Sequence, residues 1–317
     1  MGRLKKFVSI AAIFFSVAIF VTGAWIFIRI GRYMKNPVKK IYAGKSEKQK
    51  RPIILVHGLN RTGRIWLVAD DGNKNRFPKA RSMAEFLREN GYPNLYINTF
   101  PDTRNTSLFR NANNLKKWIE ETKKRFQAKE VDIIAHSLGG LISRAYLQEM
   151  NRNDAKSVNP LPYGKDVNRL IMIAIPHLGS PLADSFASIL DWYALRTLRE
   201  GGGTDLQFLN QRPLPCQPRY YSILASISKH SPKRNWGFWR LLRFLLSYST
   251  PLDGDGIVSL KSQNLINAVP QLQCFVNPHK ADLVKMEKNF RHRDAAKSLS
   301  IQRTILKILN GPMEKIM

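Results

Sequence analysis

The chain has 317 residues, which is enough for one large α/β domain with an appendage, and its hydrophobic fraction of 44% is ordinary for a protein with a buried core. Lysine and arginine number 51 against 23 aspartates and glutamates, so the net charge is +28. A surface this basic favours polyanionic partners such as anionic lipid headgroups or nucleic acid. The two cysteines, Cys216 and Cys274, exclude a disulfide-dense scaffold and offer no metal-ligand cluster, but they leave one bridge open.

The N-terminus carries an uncharged apolar run, Phe7 to Ile28, of about the length that spans a bilayer. Basic residues flank it on both sides. We therefore predict an uncleaved, single-pass membrane anchor within residues 1–30, followed by a basic linker over residues 31–50. A cleaved signal peptide is the alternative, since Val21-Thr22-Gly23 offers a small-residue site. The side of the membrane stays open, with the extracytoplasmic side favoured.

Residues 51–317 alternate between buried strands and amphipathic helices. Continuous apolar runs predict strands at 52–56, 95–100, 131–135, 170–175 and 220–225, with a last short strand at 273–276. Helical spacing predicts helices at 82–90, 107–127 and 299–309 and another after residue 140. This order indicates an α/β fold with a mostly parallel central sheet and helices on both faces. Cap or lid insertions are expected near 182–217 and 229–250.

The stretch Val131 to Gly140 predicts a strand, a sharp turn and a helix, with Ser137 at the apex of the turn. Such a turn lifts the serine hydroxyl clear of the backbone and places a helix N-terminus behind it. Ser137 is therefore a candidate nucleophile. An ordinary strand-to-helix turn capped by serine is the alternative.

Four segments occur in one order along the chain: His57-Gly58-Leu59, Ala-His-Ser137-Leu-Gly-Gly, Asp-Gly-Asp255-Gly-Ile-Val, and a downstream histidine. In this order the chain resembles the α/β-hydrolase family, and within it the bacterial lipase and esterase branch, over roughly residues 50–310. In this family the turn that carries the nucleophile, called the nucleophile elbow, usually reads G-x-S-x-G. Here Ala135 replaces the first glycine, a departure that is compatible because the turn needs a small residue there.

The resemblance implies a role for each motif. Ser137 would be the nucleophile, Asp255 the triad acid (with Asp253 as its neighbour), and the N–H groups of Leu59 and Leu138 the oxyanion hole. For the base, His279 is predicted because it follows the predicted strand at 273–276.

His292 is the alternative base, in a basic segment that is predicted to be helical. His57 and His177 are expected to be structural, and His136 to be a packing residue.

The activity implied is acyl transfer from an ester to water through an acyl-serine, with no cofactor and no metal. The aromatic and basic segment Trp236–Leu246 predicts either an interfacial helix or a core helix. Together with the anchor and the charge, it favours a lipid ester as substrate and an anionic membrane surface as partner. No nucleic-acid partner is expected, because no recognition motif is present. A catalytically silent membrane-bound binding protein and an acyltransferase with the same triad are the alternatives.

Overall fold

The structure is a computed structural model, and it describes residues 37–44, 50–69, 81–148, 163–187, 190–200, 203–227, 254–269, 283–286 and 292–311. The predicted anchor at 1–30, the segment at 229–250 and the strand at 273–276 lie outside these ranges. Within the described ranges, no helix combines the length and apolarity needed to cross a bilayer.

The described strands form a seven-stranded sheet. Its strands are β1 (Lys40–Tyr42), β2 (Ile53–Val56), β3 (Leu95–Ile97), β4 (Val131–His136), β5 (Val167–Ile173), β6 (Arg219–Ile227) and β7 (Leu283–Met286). They are ordered β1-β3-β2-β4-β5-β6-β7 across the sheet. All neighbouring pairs are parallel except β1 with β3. The predicted α/β fold with a mostly parallel sheet is therefore confirmed.

The described helices connect these strands. They are α1 (Met83–Glu89), α2 (Leu108–Phe126), α3 (Leu138–Leu147), α4 (Pro181–Ala187), α5 (Tyr193–Thr197), α6 (Thr204–Gln211), α7 (Leu260–Gln263), α8 (Leu265–Ala268) and α9 (Leu299–Asn310). Two 3₁₀ helices, Gly63–Trp66 and His292–Lys297, complete them. Helix α1 begins with a capping box, in which the Ser82 hydroxyl accepts the Glu85 N–H and the Glu85 carboxylate accepts the Ser82 N–H.

Two apolar layers cover the sheet because successive strand residues face opposite sides. On β2, Ile54 and Val56 pack into a core shared with α2 and α3. Ile53 and Leu55 pack into a second core shared with α1 and α9. Both faces of the parallel sheet are thus buried, which explains why its strands are continuous apolar runs instead of alternating ones.

Two strands differ from the sequence prediction. β1 lies inside the segment that was predicted to be a linker, at the sheet edge beside β3. Beyond β6, the described strand is β7 at Leu283–Met286, which pairs with β6 from Leu224↔Leu283 onward. No strand was predicted at those residues.

Candidate active site

Ser137 occupies a strained turn between β4 and α3. Its φ and ψ are 54° and −132°, a region that residues with a β-carbon rarely adopt. The Ser137 N–H donates to the Ile173 carbonyl, and the Ser137 carbonyl accepts the Gly140 N–H, so the surrounding backbone fixes this conformation. The side chain stays partly exposed in an otherwise buried segment. A hydroxyl presented in this way is available to a ligand.

The glycines beside Ser137 permit close backbone packing. A β-carbon on Gly139 would stand 2.6 Å from the His57 carbonyl oxygen and 2.8 Å from that of Val56. One on Gly58 would stand 2.8 Å from the Ser137 β-carbon. The loop after β2 is therefore pressed directly onto the turn that carries Ser137.

Gly139→Ala is expected to lower the free energy of unfolding by about 1–3 kcal/mol, because the atoms that its methyl group meets are backbone and cannot rotate away. Urea denaturation followed by circular dichroism measures this. Gly311→Ala is the matched control, since the atom nearest to a β-carbon on Gly311 would be the Lys307 carbonyl oxygen, 3.3 Å away. Equal destabilisation of the two variants would contradict the packing argument.

The Asp255 carboxylate is buried and held in a fixed orientation. Its Oδ1 atom accepts hydrogen bonds from the N–H groups of Ile257 and Val258, at 3.0 and 2.9 Å. The carboxylate's other oxygen, Oδ2, lies 2.5 Å from Nδ1 of His292. Because a carboxylate accepts, the imidazole donates through Nδ1–H. Asp253 lies outside the described residues.

His292 lies between Ser137 and the loop that carries Asp255 (residues 254–258, here called the acid loop). Its Nε2 lies 2.8 Å from Ser137 Oγ. With the proton on Nδ1 directed to Asp255, Nε2 is left as the acceptor for the serine hydroxyl proton. His292 is 7% exposed and Asp255 is 1% exposed, so water competes little for these hydrogen bonds.

The position between Ser137 and Asp255 is thus occupied by His292, the alternative base, whereas the sequence had favoured His279. His279 lies outside the described residues. The physical reason for the change is the position of the strand: β7 ends at Met286, so the first histidine after it is His292. We replace His279 with His292 in the proposed triad.

The loop after β2 is clamped by His57, which is fully buried. The Phe100 N–H donates to His57 Nε2 at 2.9 Å, so the imidazole proton lies on Nδ1, which is 3.0 Å from the Gly58 carbonyl oxygen. The pKa of His57 is lowered from 6.5 to about 4. Burial is the main cause; the hydrogen bond to Gly58 raises the pKa and the nearby charge of Arg61 lowers it. A neutral imidazole therefore fixes the Gly58 carbonyl.

This clamp orients the predicted oxyanion donors. In a trans peptide the C=O and N–H groups point in opposite directions, so the Leu59 N–H points away from His57. Within the described part of the chain, the Leu59 N–H has no hydrogen-bond acceptor. The Leu138 N–H belongs to the first turn of α3, where N–H groups lack intrahelical partners. Leu59 follows Gly58, which packs on Ser137, and Leu138 follows Ser137 itself. The two N–H groups therefore come from adjoining segments, a geometry compatible with the predicted oxyanion hole.

His136 does more than pack. Its Nε2 lies 2.9 Å from the backbone carbonyl oxygen of His292, and the two rings lie 4.9 Å apart. Since a carbonyl only accepts, the His136 proton is on Nε2. The residue before Ser137 thus holds the main chain that carries His292, a role that sequence reasoning missed because the partner lies 156 residues away.

His136→Leu is expected to lower kcat about 10–100-fold with little change in KM, because small displacements of a catalytic group have effects of this size. His136→Gln, which keeps an N–H donor, is expected to recover most of the activity. Steady-state kinetics on a short soluble ester measure both variants. Equal losses of kcat in His136→Leu and His136→Gln would show that the hydrogen bond from His136 to the His292 carbonyl does not position His292.

The segment Pro176–Pro181 supports the acid loop. The Ser180 hydroxyl donates to the Ile257 carbonyl at 2.5 Å, and the His177 N–H donates to the Ser262 carbonyl. The His177 ring faces inward, where its Nδ1 accepts from the buried Arg144 guanidinium at 3.0 Å. His177 is therefore neutral, with its proton on Nε2, and no contact of its ring to Ser137 or Asp255 is present among the described residues.

Among the described residues, no group of three or more histidine, cysteine, aspartate or glutamate side chains has the arrangement of a metal site.

A parallel sheet that brings a serine elbow, an acid loop and a histidine together at its carboxyl edge defines the α/β-hydrolase class of fold. Comparison with known proteins agrees. Residues 50–192, or 143 of the 317, match the family model described as lipase (class 2). This region contains His57–Leu59 and the turn at Ser137, but it ends before Asp255 and His292. None of the curated proteins compared with the chain matches it by sequence.

Solved structures of bacterial lipases share the fold. The mature form of the Bacillus licheniformis lipase BlEst2 has a TM-score of 0.57 at 21% identity, over 86% of this chain and 99% of that one. Its propeptide form gives 0.58 at 20%, over 87% of this chain and only 54% of that one. Lipase 1 from Pelosinus fermentans gives 0.53 at 17%, over 83% and 99%.

The chain is therefore similar to bacterial lipases and esterases of the α/β-hydrolase type, which confirms the family resemblance predicted from its motifs.

Proposed function

We propose that this protein is a serine hydrolase that cleaves carboxylic esters through an acyl-serine intermediate. The observation that carries the proposal is the continuous contact from Ser137 Oγ to His292 Nε2 (2.8 Å) and from His292 Nδ1 to Asp255 Oδ2 (2.5 Å). The strained Ser137 backbone supports it, since strain of this kind is retained where function requires it.

The reaction follows from these contacts. His292 Nε2 takes the hydroxyl proton as Ser137 Oγ bonds to the ester carbonyl carbon, and the Leu59 and Leu138 N–H groups bind the resulting oxyanion. The imidazolium, stabilised by Asp255, returns the proton to the leaving alkoxide as the C–O bond breaks. Water then attacks the acyl-serine with His292 again as base. General base assistance contributes about 10²–10⁴-fold to each half-reaction.

A lipid or other amphiphilic ester is the substrate class that we propose. The match of residues 50–192 to the class 2 lipase model supports it, as does the likeness to lipase structures. The apolar segment Phe7–Ile28 would anchor the protein in a membrane by a single pass, and the net charge of +28 would hold the domain against anionic lipid. The aromatic and basic segment Trp236–Leu246 would add an interfacial contact.

We propose an extracytoplasmic location for the domain. Cys216 is disulfide-bonded, and the chain's one other cysteine is Cys274, outside the described residues. Stable disulfides form in oxidising compartments and are rare in the cytosol. A protease applied to intact cells tests this: the domain is expected to be degraded, and protection behind an intact membrane would contradict it.

A fluorophosphonate probe and a panel of esters test the activity together. Wild-type protein is expected to be labelled and to hydrolyse esters, and Ser137→Ala is expected to lose both. Ser143→Ala is the matched control, because the Ser143 hydroxyl donates to the Gly139 carbonyl of its own helix. Absence of labelling in the wild type would favour the silent binding protein. Ester product formed only when an alcohol acceptor is added would favour the acyltransferase.

A further inference from the structure

The chain enters the domain at the edge of the sheet where the parallel strands end, here called the carboxyl edge, which also carries the candidate active site. β1 runs antiparallel to β3, with Lys40 opposite Ile97 and Tyr42 opposite Leu95. Residues before Lys40 therefore lie beside the carboxyl end of β3. The Val38 N–H confirms this position, since it donates to Thr99 Oγ1 at 2.9 Å.

The same edge holds the groups around Ser137. Thr99 Oγ1 also accepts the Gly63 N–H, in the 3₁₀ helix that follows the oxyanion loop, and the next residue, Phe100, donates to His57. Across the sheet, β1 and β4 are separated by β3 and β2. Three strand spacings of about 4.8 Å place Val38 roughly 14 Å from the line of the strand that ends at Ser137.

The connection from the apolar segment to this edge is short. From Ile28 to Pro37 there are nine residue steps, which extend to no more than about 30 Å. A domain of the size of residues 51–317 has a radius of gyration of about 18 Å and so measures roughly 45 Å across. A membrane anchor at Phe7–Ile28 therefore holds the carboxyl edge nearer to the bilayer than the opposite edge.

The connection is also basic. It contains Arg29, Arg32 and Lys35, so an anionic leaflet would hold the connection, and the end of β1 from which it leaves, close to the bilayer. Exposed basic residues lie at both edges of the sheet, Arg64 at the carboxyl edge and Lys124 and Arg125 at the opposite edge, so the orientation rests on the position and length of the connection.

We propose that the carboxyl edge of the sheet, with Ser137, faces the bilayer in which the chain is anchored, so that the ester substrate is taken from that same bilayer. This inference rests on the proposed anchor and deepens the proposed function. It names the partner surface of the active site as an anionic membrane, in cis, and not dispersed lipid or a second membrane.

Helix α2 offers a matched pair of positions for a test. It begins at the carboxyl edge after β3 and ends at the opposite edge before β4. Arg110 and Lys124 are both exposed on it, 14 residues apart, which is about 21 Å along the axis. Arg110→Cys and Lys124→Cys each remove one positive charge and provide one thiol for a fluorescent donor, while Cys216 is protected in its disulfide.

The full chain is reconstituted in phosphatidylcholine vesicles containing phosphatidylglycerol and a headgroup-labelled acceptor, and energy transfer is measured on floated vesicles. The donor at position 110 is expected to transfer more efficiently than the donor at position 124. A rigid helical spacer inserted between Asn36 and Pro37 is expected to reduce that difference.

Each outcome separates the two proposals. Equal transfer from floated protein, or stronger transfer from position 124, overturns the orientation and leaves the hydrolase proposal intact. Protein that does not float overturns both the anchor and the orientation. Greater transfer from position 110 in a protein that hydrolyses no ester supports the orientation and contradicts the proposed activity.

Discussion

His292→Ala is expected to lower kcat/KM for a short soluble ester on the order of 10⁴-fold or more, because loss of a triad base removes both proton transfers. The reason lies in the geometry: His292 is the imidazole that contacts Ser137 Oγ, at 2.8 Å, and Asp255, at 2.5 Å. A burst of alcohol release and fluorophosphonate labelling measured beside kcat/KM would locate the loss in acylation.

His279→Ala is the matched control, as it removes the other downstream histidine and is expected to leave kcat/KM within a few-fold of wild type. In Asp255→Asn, kcat/KM is expected to fall on the order of 10⁴-fold as well, since an amide does not hold the imidazole in the required tautomer. Thermal unfolding of each variant checks that the fold is retained. The assignment of His292 fails if His279→Ala loses activity and His292→Ala keeps it.

The sequence located the parts of this site that local patterns encode. The elbow at Ser137 and the acid loop at Asp255 are short motifs next to buried strands, and the structure places both side chains within hydrogen-bonding distance of His292. Gly58 and Gly139 stand in the same motifs, but their physical cause is not local, because each packs against the other segment: Gly58 against Ser137, and Gly139 against the His57 carbonyl.

The choice of histidine depends on long-range pairing that no local pattern specifies. β7 has four residues, one of them Lys285, and it is defined by its register with β6 some 60 residues earlier. Short apolar runs at 273–276 and 283–286 compete for that place, and propensity does not choose between them. β1, with three residues in a basic segment, is likewise specified by its partner β3.

The free energy of unfolding is expected to fall as the pH is lowered from 7 towards 4, because the fold buries neutral histidines. Burial lowers the pKa of His57 to about 4, and it holds those of His136 and His177 well below 6.5. The charge of Arg144, beside His177, adds to this lowering. The rings of His57 and His177 are also held neutral, because one nitrogen of each accepts a hydrogen bond, from the Phe100 N–H and from the Arg144 guanidinium.

The sign follows from proton uptake. Below pH 6.5 the unfolded chain protonates these rings, whereas folded His57 stays neutral down to about pH 4. The unfolded state therefore binds more protons in this window, and stability decreases as pH falls. For His57 alone the loss between pH 6.5 and 4 is about 3 kcal/mol. Burial raises the pKa of Asp132, which opposes this trend, so a variant is needed to isolate His57.

Urea unfolding at a series of pH values between 4 and 7, for wild type and His57→Gln, measures the effect. The variant is expected to show a shallower dependence, by up to about 1.4 kcal/mol per pH unit, because one proton fewer distinguishes its two states. Parallel curves would mean that His57 does not contribute. If His57→Gln fails to fold, the imidazole resonances of wild-type protein decide the matter: His57 must stay neutral at pH 5, where an exposed histidine is protonated. Protonation near pH 4 would place a proton on Nε2, the acceptor of the Phe100 N–H, and so would free the ring that holds the Gly58 carbonyl.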